Sequence, residues 1–379
     1  MRRRPLCEPD LQSFPVESAV RVAGPLAAQE AVDVPDFKEA CSLFPTGVTV
    51  IARDSADHPM LTFCRPAELR QSVRPSATRN LSFRWDFAGF GYTSRVNQPP
   101  ILLGTSSFTA KGWEASFYPK GMRSADYLAY YAERFHTVEV DSTFYGCPSA
   151  RTVANWDAKT PEDFIFSVKV PQVITHEKRL IDCDADLNEF LSTMELLGHK
   201  LGPIVLQFPF FDRSTFRDRH EFLDRVIPFL RKLPTTHKFA LEIRNRTWLD
   251  AELANLLRNH SIALVLQDRS WMPSPTELKF DPITADWTYI RWLGDRKSIE
   301  GQTATWDKAI VDRTTELTSW VDFCYQIMKR GVLVYAYANN HYAGHAPATI
   351  EQFRNLWSGR GLPEIGIPQR LRQQSSLFD

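Results

Sequence analysis

The chain has no glycine-rich phosphate turn, no paired cysteines, no long apolar run and no excess charge of either sign, and each absence removes a class of protein. No GxGxxG follows the first candidate strand, and no GxxxxGK followed by Ser or Thr occurs anywhere. The strongest signals of doubly wound nucleotide-binding folds are therefore missing. Lys plus Arg and Asp plus Glu number 45 each, and the pI is near 7.1, so no global field draws the chain to nucleic acid or to an acidic membrane. Any anionic ligand needs a local site. Cys7, Cys41, Cys64, Cys147, Cys183 and Cys324 lie far apart without a CxxC, which argues against a disulfide framework and a zinc ribbon and predicts reduced thiols. MRRRPLCEPD is basic, but no apolar stretch of leader type follows it, and no run reaches the roughly twenty apolar residues of a membrane span. The expectation is a soluble cytoplasmic protein with no membrane partner. Neither oligomeric state nor a cofactor is signalled.

What is present, from about residue 101, is an alternation of short β-rich apolar runs with helical patterns, the signature of βαβ units and a parallel sheet. Strands are predicted over 101–108, 137–144, 164–171, 203–209, 239–245, 262–268, 287–294 and 332–338. Helices are expected between them, including 124–135 with Ser124 as N-cap, 186–197, 220–233, 249–260 and 305–330. Eight such units suggest a closed α/β barrel of TIM type, running from 99 to 361, with a polar tail over 362–379. Residues 1–98 differ: they are rich in Arg, Pro and Ala, lack the alternation, and hold a single tryptophan, Trp85. The expectation there is an irregular or vestigial extension, its stretch from Arg65 to Arg84 a disordered basic linker. DFKEACSLFPTGVTVIA, residues 36–52, resembles the opening of flavin-reductase-like domains. The resemblance is too short to imply a flavin site.

GTSSFTAKGWEASFYPKG (104–121), VEVDSTFYGCPS (138–149), FSVKVPQVITHEKRL (166–180), LGPIVLQFP (201–209), ALEIRNRTWLD (240–250) and YANNHYAGHAP (337–347) together resemble the YecE-like family, domain of unknown function 72. The resemblance covers about 101–361 and implies a TIM-type barrel. It supplies no reaction. A likeness in shape of some members to endonuclease IV is analogy only.

Strand parity names the residues that face a barrel interior, and those at carboxyl ends line its mouth. In the second strand Val138 and Val140 face helices, leaving Glu139 and Asp141 inward. The same reasoning selects Lys169, Gln207, Glu242, Arg244, Arg291 and Asn339, with Asp268 ending the sixth strand. Buried charges without partners cost several kcal/mol by order of magnitude, so these groups pair with one another, bind a ligand, or both. Beyond them, Trp113, Phe144, Tyr145, Trp271, Asn340, His341 and Tyr342 suggest an aromatic and amide wall, and the polar run Asn339 to His345 past an apolar strand is the sharpest local signal. Glu139, Lys169, Glu242, Asp268 and His341 are the catalytic candidates; Trp113, Tyr145, Gln207, Arg244, Arg291, Asn339, Asn340 and Tyr342 are the ligand-binding ones. His176, in a THEKR run after the third strand, belongs either to the mouth or to a solvated helix start.

Three chemistries follow. Metal-assisted, nuclease-like hydrolysis would use Glu139, Glu242, Asp268 and His176 or His341, but there is no HExxH or HxH and the nearby cations repel a metal, so no metal ligand is assigned. Glycoside hydrolysis would pair Glu139 with Glu242, although common barrel glycosidases place their acids after the fourth and seventh strands, where Gln207 and Arg291 stand here. The third is metal-free handling of a phosphate or carboxylate by Lys169, Arg244 and Arg291, with Glu242 or His341 as acid or base, or Lys169 as a Schiff-base amine. The reading is a hydrolase or lyase for an anionic, ring-containing small molecule such as a sugar phosphate or nucleic-acid component. Its alternatives are a non-catalytic binding barrel with a structural ion network and the metal-dependent nuclease-like hydrolase.

Overall fold

A computed structural model describes residues 101–365, and four short N-terminal strands as backbone only. Those four, in spatial order Ala31–Asp33, Ala19–Val22, Met60–Cys64 and Thr49–Arg53, form a separate small sheet. The chain divides into two compact units, Met1–Phe87 and Ala88–Asp379. Apart from the strand Thr49–Arg53, the flavin-reductase-like stretch lies outside the described residues, as do the Arg65 to Arg84 segment and the end of the polar tail.

All eight predicted strands form. They are β1 (Ile101–Thr105), β2 (Thr137–Val140), β3 (Ile165–Lys169), β4 (Leu201–Gln207), β5 (Phe239–Glu242), β6 (Ala263–Asp268), β7 (Trp287–Trp292) and β8 (Leu333–Ala338). Every neighbouring pair is parallel, in the order β1-β8-β7-β6-β5-β4-β3-β2. The fold is a TIM-type barrel. Several strands end earlier than their apolar runs: after Val140 the chain turns at once into a 3₁₀ segment, Asp141–Phe144, which carries Asp141 and Phe144 onto the rim.

The helical layer comprises α1 (Tyr127–Ala132), α2 (Ala150–Ala158), α3 (Asp184–Met194), α4 (Arg219–Leu230), α5 (Ala251–Asn259), α6 (Arg296–Glu300), α7 (Thr314–Lys329), α8 (Asn340–Ala343) and α9 (Ala346–Gly359). Side-chain caps set several starts: Ser149, Asp218, Asp250 and His345 each accept the backbone N–H three residues on. Ser124 is not such a cap. It opens a 3₁₀ turn, Ser124–Asp126, and makes no capping bond. The β6–β7 connection carries only a 3₁₀ turn, Pro275–Glu277, so the eight units are not uniform.

Parity divides the core in two. Outward residues such as Val138, Val168, Leu206, Leu241, Leu266, Ile290 and Val334 join one large cluster with the helices. Inward residues Val205, Ala240, Ala263, Val265, Trp287, Tyr289, Tyr335 and Tyr337 form a second, inside the barrel. This interior is layered, as filled barrels are. Above Trp287 and Tyr335 lies a hydroxyl layer in which Ser167 bonds Tyr289 and Thr137 bonds Tyr337, each at 2.7 Å. Charged residues sit directly above it.

β1 and β2 close the ring without a backbone ladder. A side chain fills the gap: the Tyr131 phenol accepts the Thr105 N–H at 2.8 Å and donates to the Thr137 carbonyl at 3.1 Å. Gly104 is required here, because a Cβ would stand 2.2 Å from the Thr137 oxygen.

Candidate active site at the carboxyl end of the barrel

Arg291 is the hub of the upper layer. It rises from β7 on the parity of Trp287 and Tyr289, is 2% exposed, and lies between two glutamates that are wholly buried. Its Nη2 donates to Glu139 Oε1 at 2.8 Å, while Nη1 donates to Gln207 Oε1 at 2.9 Å and also pairs with Glu242 Oε2. Glu139 further accepts the Tyr289 hydroxyl at 2.8 Å and faces Lys169 Nζ at 3.3 Å. Glu242 accepts Arg244 Nε at 3.0 Å. Every carboxylate oxygen of the two glutamates thus has a donor or cation beside it.

Electrostatics follow from this packing. Burial opposes ionisation of both glutamates, but the surrounding cations outweigh it. Arg291, Lys169 and the Tyr289 phenol hold Glu139 below the usual range; Arg291, Arg244 and Arg269 bring Glu242 to about 2. With both carboxylates held in the ionised form by their cations, neither is set up as the raised-pKa acid that glycoside hydrolysis needs. Nor is Glu242 suited to act as a general acid or base near neutrality. Asp141 differs: burial raises its pKa, against the pull of Lys169. Burial and then Arg291 lower the pKa of Lys169, despite Glu139.

Parity placed Glu139, Lys169, Gln207, Glu242, Arg244 and Arg291 together, but Asn339 is engaged locally at the start of α8 and Asp268 is elsewhere. The inward residues of β6 are Ala263, Val265 and Gln267, so Asp268 points into the helical layer. There its Oδ2 accepts Trp320 Nε1 and the Tyr342 hydroxyl, both at 2.7 Å. Tyr342 is therefore buried against α7 and is not a wall of the mouth. Trp113 is also a core residue, 1% exposed, packed with Phe117, Tyr118 and His345. Asn340 is occupied by local structure, its Oδ1 accepting Trp113 Nε1 and the Ala346 N–H. Much of the polar run after β8 thus caps α8 and α9. Asn339 caps α8 and, through the same Oδ1, contacts His341 Nδ1 at 2.6 Å. His341, partly exposed, reaches Glu300 with Nε2 at 3.1 Å and packs on Trp306.

Three contributors escaped the sequence reading. Gln267 stands on the inward parity of β6, donates to the Ile243 carbonyl and leaves its buried Oε1 unpaired. Tyr289 holds Glu139. Arg269, two residues past Gln267, lies close enough to Glu242, Arg244, Arg291 and His341 to act on each of them. Counting inward from Val265 through Gln267 points to Arg269, a signal hidden because ALVLQD is apolar on both parities until its end. His176 resolves toward the mouth. It sits in a π-helical turn, Val173–Glu177, a feature frequent at functional sites, packs edge-on to Phe144 at 4.9 Å, and is held neutral down to about 4 by burial and Arg244. Tyr145, Phe210 and Trp271 stand exposed on the loops after β2, β4 and β6, with Arg269 over the Trp271 ring.

The molecule so described is a filled TIM-type barrel with a cation-rich mouth. It belongs to the family described as protein of unknown function DUF72, whose sequence pattern matches residues 102–371. It is 27% identical over 289 residues to UPF0759 protein YecE of Escherichia coli K12, covering 69% of this chain and 96% of that protein. UPF0759 protein YunF of Bacillus subtilis is 33% identical over 146 residues, 36% of this chain and 50% of that one. The crystal structure of a DUF72 family protein from Thermotoga maritima superposes with a TM-score of 0.56 at 27% identity, covering 68% of this chain and 99% of that one. One from Enterococcus faecalis, at 20% identity and a TM-score of 0.51, shares the fold. Among the described residues no helix is long and apolar enough to cross a membrane, and no group of three or more His, Cys, Asp or Glu is placed to share a metal ion.

Proposed function

We propose that the barrel mouth binds an anionic, ring-containing small molecule, such as a sugar phosphate or a nucleic-acid component, and acts on it as a hydrolase or lyase. The observation that carries this reading is Arg269. With Asp268 turned outward and Arg269 turned in, Lys169, Arg244, Arg269 and Arg291 gather with Glu139, Glu242 and Asp141, and Asp295 acts on Arg269 only from beyond ion-pair distance. Both glutamates are already paired. Arg269 has no carboxylate within ion-pair distance among the described residues, and its buried Nε has no hydrogen-bond partner. A half-buried guanidinium whose Nε is left so, as that of Arg291 also is, gains from an anion that completes it, and its planar fork suits phosphate or carboxylate. Burial, then the neighbouring Arg244, lowers its pKa to about 10, which a bound anion reverses. Tyr145, Phe210 and Trp271 supply ring faces above the clamp. Asp141, His176 and His341 are the groups available to move protons, while Glu139 and Glu242 position Arg291.

The test is thermal shift and calorimetry with inorganic phosphate and ribose 5-phosphate at low salt. Arg269→Gln should weaken binding by roughly 10- to 100-fold, the scale of one charge-assisted contact, without lowering Tm in the unliganded protein. Equal binding by the variant, or none by the wild type, sinks the reading. The alternative of a purely binding barrel is favoured by the closed contacts around Arg291. It predicts the same clamp without turnover. The nuclease-like reading would require Glu139 and Glu242 to exchange their cationic partners for a metal.

A further inference from the structure

We infer that Lys169 is the nucleophile of this site and forms a Schiff base with an anionic aldehyde or ketone, which makes the activity carbonyl chemistry of the lyase class. The inference rests on the anion clamp proposed above and deepens it.

Two buried lysines in this barrel invite comparison. Lys200, 3% exposed, is fixed in place: its Nζ donates to the Asp157 carbonyl at 2.8 Å, to the Thr160 carbonyl at 3.0 Å and to Thr160 Oγ1 at 3.4 Å, and pairs with Asp157 Oδ1 at 2.8 Å. That is how a lysine is satisfied in a structural role. Lys169, 6% exposed, has one ion-pair partner among the described residues, Glu139 at 3.3 Å, and no hydrogen bond from its ammonium. Glu139 does not depend on it, since Arg291 and Tyr289 already serve both oxygens. The amine is thus held by a single contact at the carboxyl end of β3, near enough to Arg291 to feel its charge. Burial, and then Arg291, favour its neutral, nucleophilic form over the opposing pull of Glu139, Asp141 and Glu242. Asp141 opens the 3₁₀ segment that follows the neighbouring strand β2, lies near enough for the two charges to act on each other, and has its own protonated form favoured by burial.

The chemistry balances with these groups alone. The Nζ lone pair forms a bond to the carbonyl carbon while the C=O π electrons move to oxygen, which takes up a proton through Asp141. The carbinolamine then loses that oxygen as water, taking a second proton, the one shed by nitrogen, as the lone pair closes C=N. A protonated imine is an electron sink. As Asp141, now a carboxylate, takes the proton of the β-hydroxyl, the bond between the α and β carbons breaks, its electron pair passes into the C=N to give an enamine, and an aldehyde is released. Asp141 then returns the proton to the α carbon, and water adds to the imine to free the second carbonyl product and Lys169. A sugar phosphate meets the requirement once its ring opens to the carbonyl form. The clamp holds its phosphate.

Pyridoxal 5′-phosphate is a suitable probe, because it is an anionic, ring-bearing aldehyde whose imine is fixed by borohydride. The full-length protein is treated with it, reduced, and mapped by mass spectrometry, with pyridoxal and inorganic phosphate as controls. The expected result is one pyridoxyl group per chain on Lys169, at least tenfold more efficient than with pyridoxal and competed by phosphate. Lys169→Arg should lose the adduct. If that variant does not fold, phosphate competition in the wild type decides. Label spread over surface lysines, equal with pyridoxal, overturns the inference. If phosphate still raises Tm and Arg269→Gln abolishes that rise while Lys169 stays unlabelled, the clamp stands and the nucleophile falls. If phosphate neither binds nor competes, the clamp reading fails as well.

Discussion

Arg291 and Arg269 carry the same charge but should respond to substitution in opposite ways. Arg291→Met strands Glu139 and Glu242 in the barrel, and breaking a buried pair by removing one partner costs about 3–5 kcal/mol. Urea unfolding should register that loss in full. Arg269→Gln removes a charge that no carboxylate pairs with, so its unfolding midpoint should hold while anion binding drops. Asp268 gives a third contrast. Its pKa is raised, chiefly by burial and against two hydrogen bonds. Asp268→Asn keeps an oxygen for Trp320 and Tyr342 and sheds a buried charge, so stability should hold or rise and phosphate binding should not change. Weakened binding in that variant would return Asp268 to the site.

At the level of the element, the seam between β1 and β2 is where the barrel depends on one side chain. Elsewhere backbone ladders satisfy the strand edges, but here the Tyr131 hydroxyl serves Thr105 and Thr137. Tyr131→Phe should leave both groups unpaired in a dry interface and cost about 1–3 kcal/mol for each, read as a lower urea midpoint. Amide exchange should rise at Thr105 before it rises in β7 or β8. Unchanged protection at Thr105 would show that the strands pair without the phenol. The seam adjoins Glu139, so this variant also reports how far closure positions the glutamate.

For the whole molecule, acid should act in two stages. His176 stays neutral in the fold down to about 4 against an unfolded value of 6.5, so the unfolded chain takes up its proton first and stability declines as pH falls through that window. His341 and His345, also lowered by burial, add in the same direction. Glu242, at about 2 in the fold against 4.5 unfolded, contributes stability that is complete above 4.5 and is lost as pH falls from there toward 2. Asp141 and Asp268, both raised, work the other way and offset part of the loss. Tm measured from pH 8 to 3 should therefore slope downward from about 6.5, and His176→Gln should flatten the upper part of that slope while leaving the lower part intact. A variant curve parallel to the wild type would remove His176 from the account.

The eight strands, their parallel order and most of the inward set were legible in the sequence because hydrophobic alternation is a local property. Val138 and Val140 must leave water, so Glu139 must turn inward, whatever lies across the barrel. The same rule found Lys169, Gln207, Glu242 and Arg291. It failed at Asp268 and Arg269, where the apolar run of β6 carries no alternation and only the neighbouring strands fix which face is which. Long-range contact decided the rest: that Trp113 and Tyr342 are core, that Asn340 and His345 serve helix starts, that Tyr131 closes the ring, and that one guanidinium comes to lie between two glutamates. Sequence spacing records which residues share a face of a strand. Pairing across a closed barrel depends on shear and register, and these exist only once all eight strands have met.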